Sequence, residues 1–120
     1  MLHTVRNIVS EAEASTFENL RLELRRGCLV LAVLGALRVE HYGYTLRKEL
    51  TGWGIAIDEG TLYPLLRRLE SQGLLLSEWR EEEKRNKRFY RLSREGKATL
   101  DALSSEWRAL TTSLNRILQE

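Results

Sequence analysis

Five basic residues lie between Lys84 and Arg91, a span of eight that contains no acid. Positive charge at that density suits phosphate contact, because each neutralised phosphate releases condensed counterions. Glu81, Glu82 and Glu83 stand immediately before it, so the alternative is a solvated charged loop. A second candidate is a helix in which Gly60, Pro64, Arg67 and Ser71 share one side, flanked by Tyr63 and Arg68. Arginine reads guanine edges bidentately, and small residues permit close approach to a major groove. The plainer alternative is a solvated face with two ordinary arginines. Beside each other, the helix and the basic loop point to nucleic acid more strongly than either does alone.

Nothing comparable supports catalysis. The two histidines, His3 and His41, are far apart in sequence, and no nucleophile–base pair, Gly-rich phosphate loop or metal-ligand spacing occurs. No enzyme activity, metal or cofactor is expected. The single cysteine, Cys28, excludes an internal disulfide; within its apolar run it is expected to be a small buried hydrophobe.

The elements that would position these residues can be read from periodicity and punctuation. The chain has 120 residues, 42% hydrophobic and 30% charged with a net charge of +2, a globular balance in which charge alone names no partner. Its longest apolar run, Cys28 to Leu37, has ten residues, against the ~20 needed to span a bilayer. The opening stretch lacks the apolar core and cleavage site of a signal peptide, so a cytoplasmic protein with no membrane partner is expected. One proline, Pro64, favours helices.

A short amphipathic helix is expected over residues 1–14, and a second helix from Ser15, with Glu18 in capping-box spacing. That helix runs into the apolar segment and forms the centre of the domain; whether Gly27 interrupts it is left open. A turn-like stretch after Arg38 precedes a helix from Tyr44 to Leu50, ended by Gly52 and Gly54. Ile55 and Ile57 suggest a brief extended segment. Asp58 or Thr61 then caps the helix bearing Leu62, Leu65, Leu66 and Leu69, and Thr61 accommodates Pro64 more easily. Gly73 stops that helix. Residues 74–93 read as two short strands around a charged tip, and Ser93 caps a final helix. A helix-turn-helix followed by a hairpin is a winged helix. The fold class is therefore mainly α with a small β-hairpin, plus a long C-terminal helix.

At this level the sequence resembles the PadR family of bacterial transcriptional regulators, from Leu24 to about Leu118. The resemblance rests on Arg26 to Leu29, Gly43 to Leu46, the run Gly60-Thr61-Leu62-Tyr63-Pro64 continuing to Glu70, Gly73 to Leu75, Tyr90 to Ser93, and Trp107. It implies a winged-helix dimer that usually represses genes and is released by a small molecule. By resemblance, Tyr44 would touch phosphate from the second helix. Thr61, Tyr63 and Pro64 would lie at the DNA end of the recognition helix, with Arg67 one turn on. Lys84, Arg85, Lys87 and Arg88 would form the wing. Lys48 completes the expected DNA-binding set. The family more often has His directly before Gly-Tyr; here Tyr42 intervenes, which leaves His41 without a role. A single C-terminal helix marks the short form of the family.

That last helix carries the strongest periodicity. Leu100, Leu103, Trp107, Leu110, Leu114 and Ile117 recur at alternating spacings of three and four, a heptad seam. A helix over residues 94–119 would be roughly 39 Å long, more than a small winged domain can cover, so a symmetry mate is the expected partner. The alternative is that it folds back along the central helix. Trp107 is either a packed interface residue or the aromatic wall of an effector pocket between subunits. Trp53 and Trp79 are expected to be packing or loop residues.

The expected organisation is an N-terminal helical extension over 1–23, a winged helix-turn-helix over 24–93 and a dimerisation helix over 94–120. The expected function is a homodimeric, sequence-specific regulator of transcription on double-stranded operator DNA, a repressor with a small apolar or aromatic effector. The competing class is a winged-helix module that binds protein without specific DNA binding. A basic wing and an arginine on the third helix argue against it.

Overall fold

The computed structural model describes residues 10–119. The elements run α1 (Glu11–Ala36), β1 (His41–Tyr42), α2 (Gly43–Gly52), α3 (Glu59–Ser71), β2 (Leu75–Glu82), β3 (Arg85–Leu92) and α4 (Arg94–Leu118). The strands form an antiparallel sheet in the order β1-β3-β2. This is the expected winged helix with a long last helix.

Helix α1 begins earlier than its sequence suggests. The Ser10 hydroxyl accepts from the Glu13 amide at 3.1 Å, and Glu13 accepts from the Ser10 amide at 3.3 Å, a closed capping box. The expected start at Ser15 is therefore corrected. Glu18 pairs with Arg21 at 3.0 Å instead of capping. Residues 11–14 belong to α1 and Ser10 is its cap, while residues 1–9 of the short helix expected over 1–14 lie outside the described residues. Gly27 does not interrupt α1, which runs unbroken to Ala36.

The core forms where the C-terminal half of α1 meets α2, α3 and the hairpin root. Val33, Leu34, Leu37, Leu46, Leu62, Leu66, Leu69 and Leu75 are almost wholly buried there. Cys28 is exposed, which corrects the expectation of a buried residue. Leu29 and Val30 beside it pack against the core, so Cys28 lies on another side of α1.

Strand β1 was not anticipated, because two residues carry no periodicity. It pairs His41 with Tyr90 and Tyr42 with Phe89. The Thr45 hydroxyl then turns the chain into α2: it accepts from the Tyr42 amide at 3.2 Å, and lies 3.0 Å from His41 Nδ1. His41 thus meets Thr45 at the entry to α2. Ile55 and Ile57 form no strand. Their segment is an irregular turn between α2 and α3, tied by Arg25 to the Ala56 carbonyl at 2.9 Å and by Arg47 to the Ile57 carbonyl at 3.2 Å.

Asp58, not Thr61, caps α3, accepting from the Thr61 amide at 2.8 Å. Pro64 consequently lies inside the helix and removes the bond its N–H would give the Gly60 carbonyl. Leucine burial outweighs that loss. Gly73, at φ 81°, ends α3 in the left-handed region. The hairpin strands, eight residues each, reach into the polar run, so the tip is only Glu83 and Lys84. Both have positive φ, 56° and 64°, as the two-residue turns that match strand twist demand. Trp53 and Trp79 are both exposed.

Ser93 is buried and caps α4, accepting from the Gly96 amide at 2.9 Å while donating to the Gly73 carbonyl at 2.6 Å. The chain's radius of gyration is 17.9 Å, against about 14 Å for a compact domain of this length. The excess comes from α1 and α4, whose far ends extend past the core.

Gly96 tests this junction. A Cβ there would overlap the Leu74 carbonyl oxygen and stand 2.9 Å from its carbon. Alanine improves helix propensity by about 1 kcal/mol, but forced overlap with backbone costs typically 1–3 kcal/mol. Gly96→Ala is therefore expected to lower the denaturation midpoint. An unchanged or higher midpoint would show that α4 is not seated on the Leu74 carbonyl.

Candidate nucleic-acid interface

Burial of Leu62, Leu65, Leu66 and Leu69 fixes the rotation of α3. The other side must then face out, and Thr61, Pro64, Arg67 and Arg68 are exposed there with Tyr63 half-buried beside them. The Tyr63 ring lies on the backbone of Gly43, where a Cβ would come within 2.7 Å of its Cε1. Glycine at the start of α2 thus makes room for a side chain of α3. Arg67 pairs with no other described residue.

Helix α2 contributes Tyr44, which is exposed, with the Lys48 ammonium 5.4 Å from its ring centroid. The row continues inward. The Tyr44 ring is 6.3 Å from Tyr42, Tyr42 meets Phe89 edge-on at 5.3 Å, and Lys87 lies 4.5 Å over Tyr42. Desolvation acts to lower the Lys87 pKa, but the Tyr42 hydroxyl and Glu82 outweigh it and raise the value, so the ammonium stays charged.

Strand alternation changes the reading of the wing. Because side chains alternate across a sheet, Arg85 and Lys87 lie on one face, and Asn86 and Arg88 on the other. Register places Arg80 opposite Lys87 and Trp79 opposite Arg88. The expectation of one continuous basic loop is corrected accordingly. Lys84 and Arg85 are exposed and pair with no other described residue. Lys87 packs on Tyr42. Arg88 binds Glu70 of α3 at 2.8 Å and Ser77 at 3.0 Å. Arg80 pairs with Glu40 and stacks on Phe89, its guanidinium carbon 3.8 Å from the ring centroid.

Between α3 and the hairpin these residues enclose an open groove of about 350 Å³, bordered by Tyr42, Tyr63, Arg67, Asn86, Lys87 and Arg88. A helix presenting arginine and small residues stands on one side, and a projecting hairpin on the other. No described helix is long and apolar enough to cross a membrane, and the described residues hold no cluster of metal ligands.

The model of the transcriptional regulator PadR-like family matches residues 30–102. The chain belongs to this family. It is 39% identical over 97 residues, 80% of its own length and 88% of the relative's, to the transcriptional regulator Rv3488 of Mycobacterium tuberculosis. Its fold is similar to the PadR family regulator of Eggerthella lenta at a TM-score of 0.82, with 43% identity, covering 92% of this chain and 98% of that one. A PadR-like transcription factor of Bacteroides fragilis is similar at a TM-score of 0.71, with 31% identity, covering 82% and 98%. The PadR-like chain is thus a transcriptional regulator.

The seam residues divide. Leu100 is buried against the domain, whereas Leu103, Trp107, Leu110, Leu114 and Ile117 are exposed along α4. Phe17, Leu20 and Leu24 are exposed on α1. Sequence reasoning missed Tyr42, Glu70, Ser77 and Arg80, whose roles depend on pairings between elements. Tyr42 was visible only as the residue displacing His41.

The cap of α3 gives a pH test. Hydrogen bonding by Thr61, from side chain and backbone, together with the nearby Arg47 charge, holds the Asp58 carboxyl below its ordinary value. A lowered folded-state pKa adds stability above the unfolded value, and that stability is lost as pH falls through the folded value. Asp58→Ala should therefore be less stable than wild type at neutral pH, and the gap should narrow as pH falls through the lowered folded-state value. A gap independent of pH would contradict the assignment.

Proposed function

We propose that this PadR-like chain is a homodimeric repressor that places α3 of each protomer in successive major grooves of an operator and is released by a small apolar or aromatic effector. The observation that carries the DNA reading is the outward face of α3, where Arg67, paired with no other described residue, projects among small residues. The exposure of Tyr44 and Lys48 on α2, and of Lys84 and Arg85 on the wing, supports contact with flanking phosphates. Thr61, Tyr63 and Pro64 allow close approach at the N-terminal end of α3. The exposed stripe on α4 supports the dimer, since a run of apolar residues on a projecting helix needs cover.

An open cavity of about 360 Å³ between α1 and α4, bordered by Cys28, Leu31, Gly35, Ile55, Leu100 and Trp107, supports the effector reading. For release, the effector must bind the DNA-incompetent arrangement more tightly, because equal affinity for both arrangements shifts nothing.

Binding selection from randomised duplexes tests the DNA reading. Arg67→Ala should cost roughly 1–3 kcal/mol at one symmetric pair of base positions and relax preference only there. Uniform weakening over all sequences would move Arg67 to the phosphates, and wild-type protein that enriches no sequence would favour a protein-binding module. The dimer is tested by sedimentation. Leu110→Glu with Leu114→Glu should yield folded monomer, whereas an undisturbed dimer would place the interface elsewhere.

A further inference from the structure

The wing is joined to the recognition helix through one closed cluster. Glu70 lies near the end of α3, Ser77 on β2 and Arg88 on β3. Arg88 donates from Nη2 to Glu70 Oε1 at 2.8 Å and from Nε to the Ser77 hydroxyl at 3.0 Å, and that hydroxyl donates to Glu70 Oε2 at 2.5 Å. Both carboxylate oxygens are used. Trp79 and Tyr90 flank the guanidinium, 5.6 Å and 5.5 Å from its carbon to their ring centroids, and Tyr90 is itself buried. Among the described residues this is the one side-chain hydrogen-bonded link between α3 and the hairpin.

We infer that Arg88 and Glu70 are positioning residues that set the angle of the wing to the recognition helix, and that Arg88 is not a phosphate ligand. The inference rests on the DNA-binding reading above and assigns the wing's charges within it. Three observations carry it. First, the Arg88 charge is already matched by a carboxylate, which weakens its attraction for a phosphate, and any phosphate reaching the remaining guanidinium donors would stand close to the Glu70 charge. Second, Arg88 lies on the face of β3 turned to α3, opposite the face of Arg85. Third, the outer half of the hairpin is otherwise exposed, and its other side-chain ties, Arg80 to Glu40 and Lys87 to Tyr42, lead to β1 and the segment before it. The hairpin root packs on α3 through Leu75 and Tyr90, and among the described residues the Glu70 cluster is the side-chain hydrogen-bonded tie that adds direction to that packing. Fixing the wing makes the spacing between base contacts and wing contacts a property of the free protein, so ordering is not left to the moment of binding.

The test measures binding of the intact protein to a duplex selected by the wild type, at several salt concentrations, with thermal denaturation as the control for folding. Arg88→Ala and Glu70→Gln should each weaken the selected duplex by about tenfold. Neither should reduce the slope of log K against log salt. Arg85→Ala should reduce it by about 0.9. The exchanged pair, Glu70→Arg with Arg88→Glu, should bind better than either of its single variants, because it restores the link.

A phosphate ligand behaves oppositely. Arg88→Ala would then lower the slope by about 0.9, Glu70→Gln would tighten binding, and the exchanged pair would be worse than either single change. Those results would overturn the inference. If Arg88→Ala fails to fold, Arg88→Lys and Glu70→Gln carry the same comparison of slopes. Wild-type protein that binds no duplex overturns the DNA reading and this inference together. Wild-type binding with a lowered slope in Arg88→Ala overturns this inference alone.

Discussion

Burial of one face of α3 is the constraint on which the remaining structure depends. Leu62, Leu65, Leu66 and Leu69 enter a core built from Val33, Leu34, Leu37, Leu46 and Leu75, and each fully buried leucine contributes roughly 1.5–3 kcal/mol. Together they outweigh an interior proline whose N–H is lost to the helix. The same burial leaves Thr61, Pro64 and Arg67 no orientation except outward. The exposed face is the complement of the packed one, so the residues available to a partner and the residues that hold the fold are fixed by a single rotation.

Around that helix, each neighbour limits one freedom. Asp58 sets its first turn, while Arg25 and Arg47 tie the segment before it to α1 and α2. Gly43 leaves room for the Tyr63 ring, and Glu70 holds the hairpin. The C-terminal half of α1 contributes to the core, while its other half and most of α4 extend beyond it with apolar side chains exposed. A domain with its recognition face on one side and uncovered helices on the other has the layout expected of a regulator in which pairing of two chains sets the distance between two reading heads.

The sequence made the helix-turn-helix, the hairpin and the long last helix legible because each is announced by a repeated spacing or a glycine stop. The family was legible from Gly43-Tyr44 and the run from Gly60 to Pro64. Features built from few residues were not. β1 is two residues long and exists only through its pairing with β3. The true cap of α1 lies at Ser10, yet Ser15 with Glu18 offers the same spacing, and local pattern cannot choose between two boxes in one helix. The wing was read as a single charged loop because charge was counted along the chain; strand alternation sorts those charges onto two faces. Arg88 then meets Glu70, an encounter between residues eighteen apart that no spacing rule marks. Cys28 was misplaced for a related reason: an apolar run does not say which side of the helix is covered, and Leu29 and Val30 take the packed side.

The central claim is that two copies of α3 occupy successive major grooves through the face opposite the leucines. Chemical probing of guanine N7, an atom exposed only in the major groove, tests it directly on a duplex selected by the protein. The account predicts two protected clusters centred one helical turn apart, about 10–10.5 base pairs, each cluster losing protection in Arg67→Ala. Protection confined to the minor groove, or a single unpaired cluster, would contradict it.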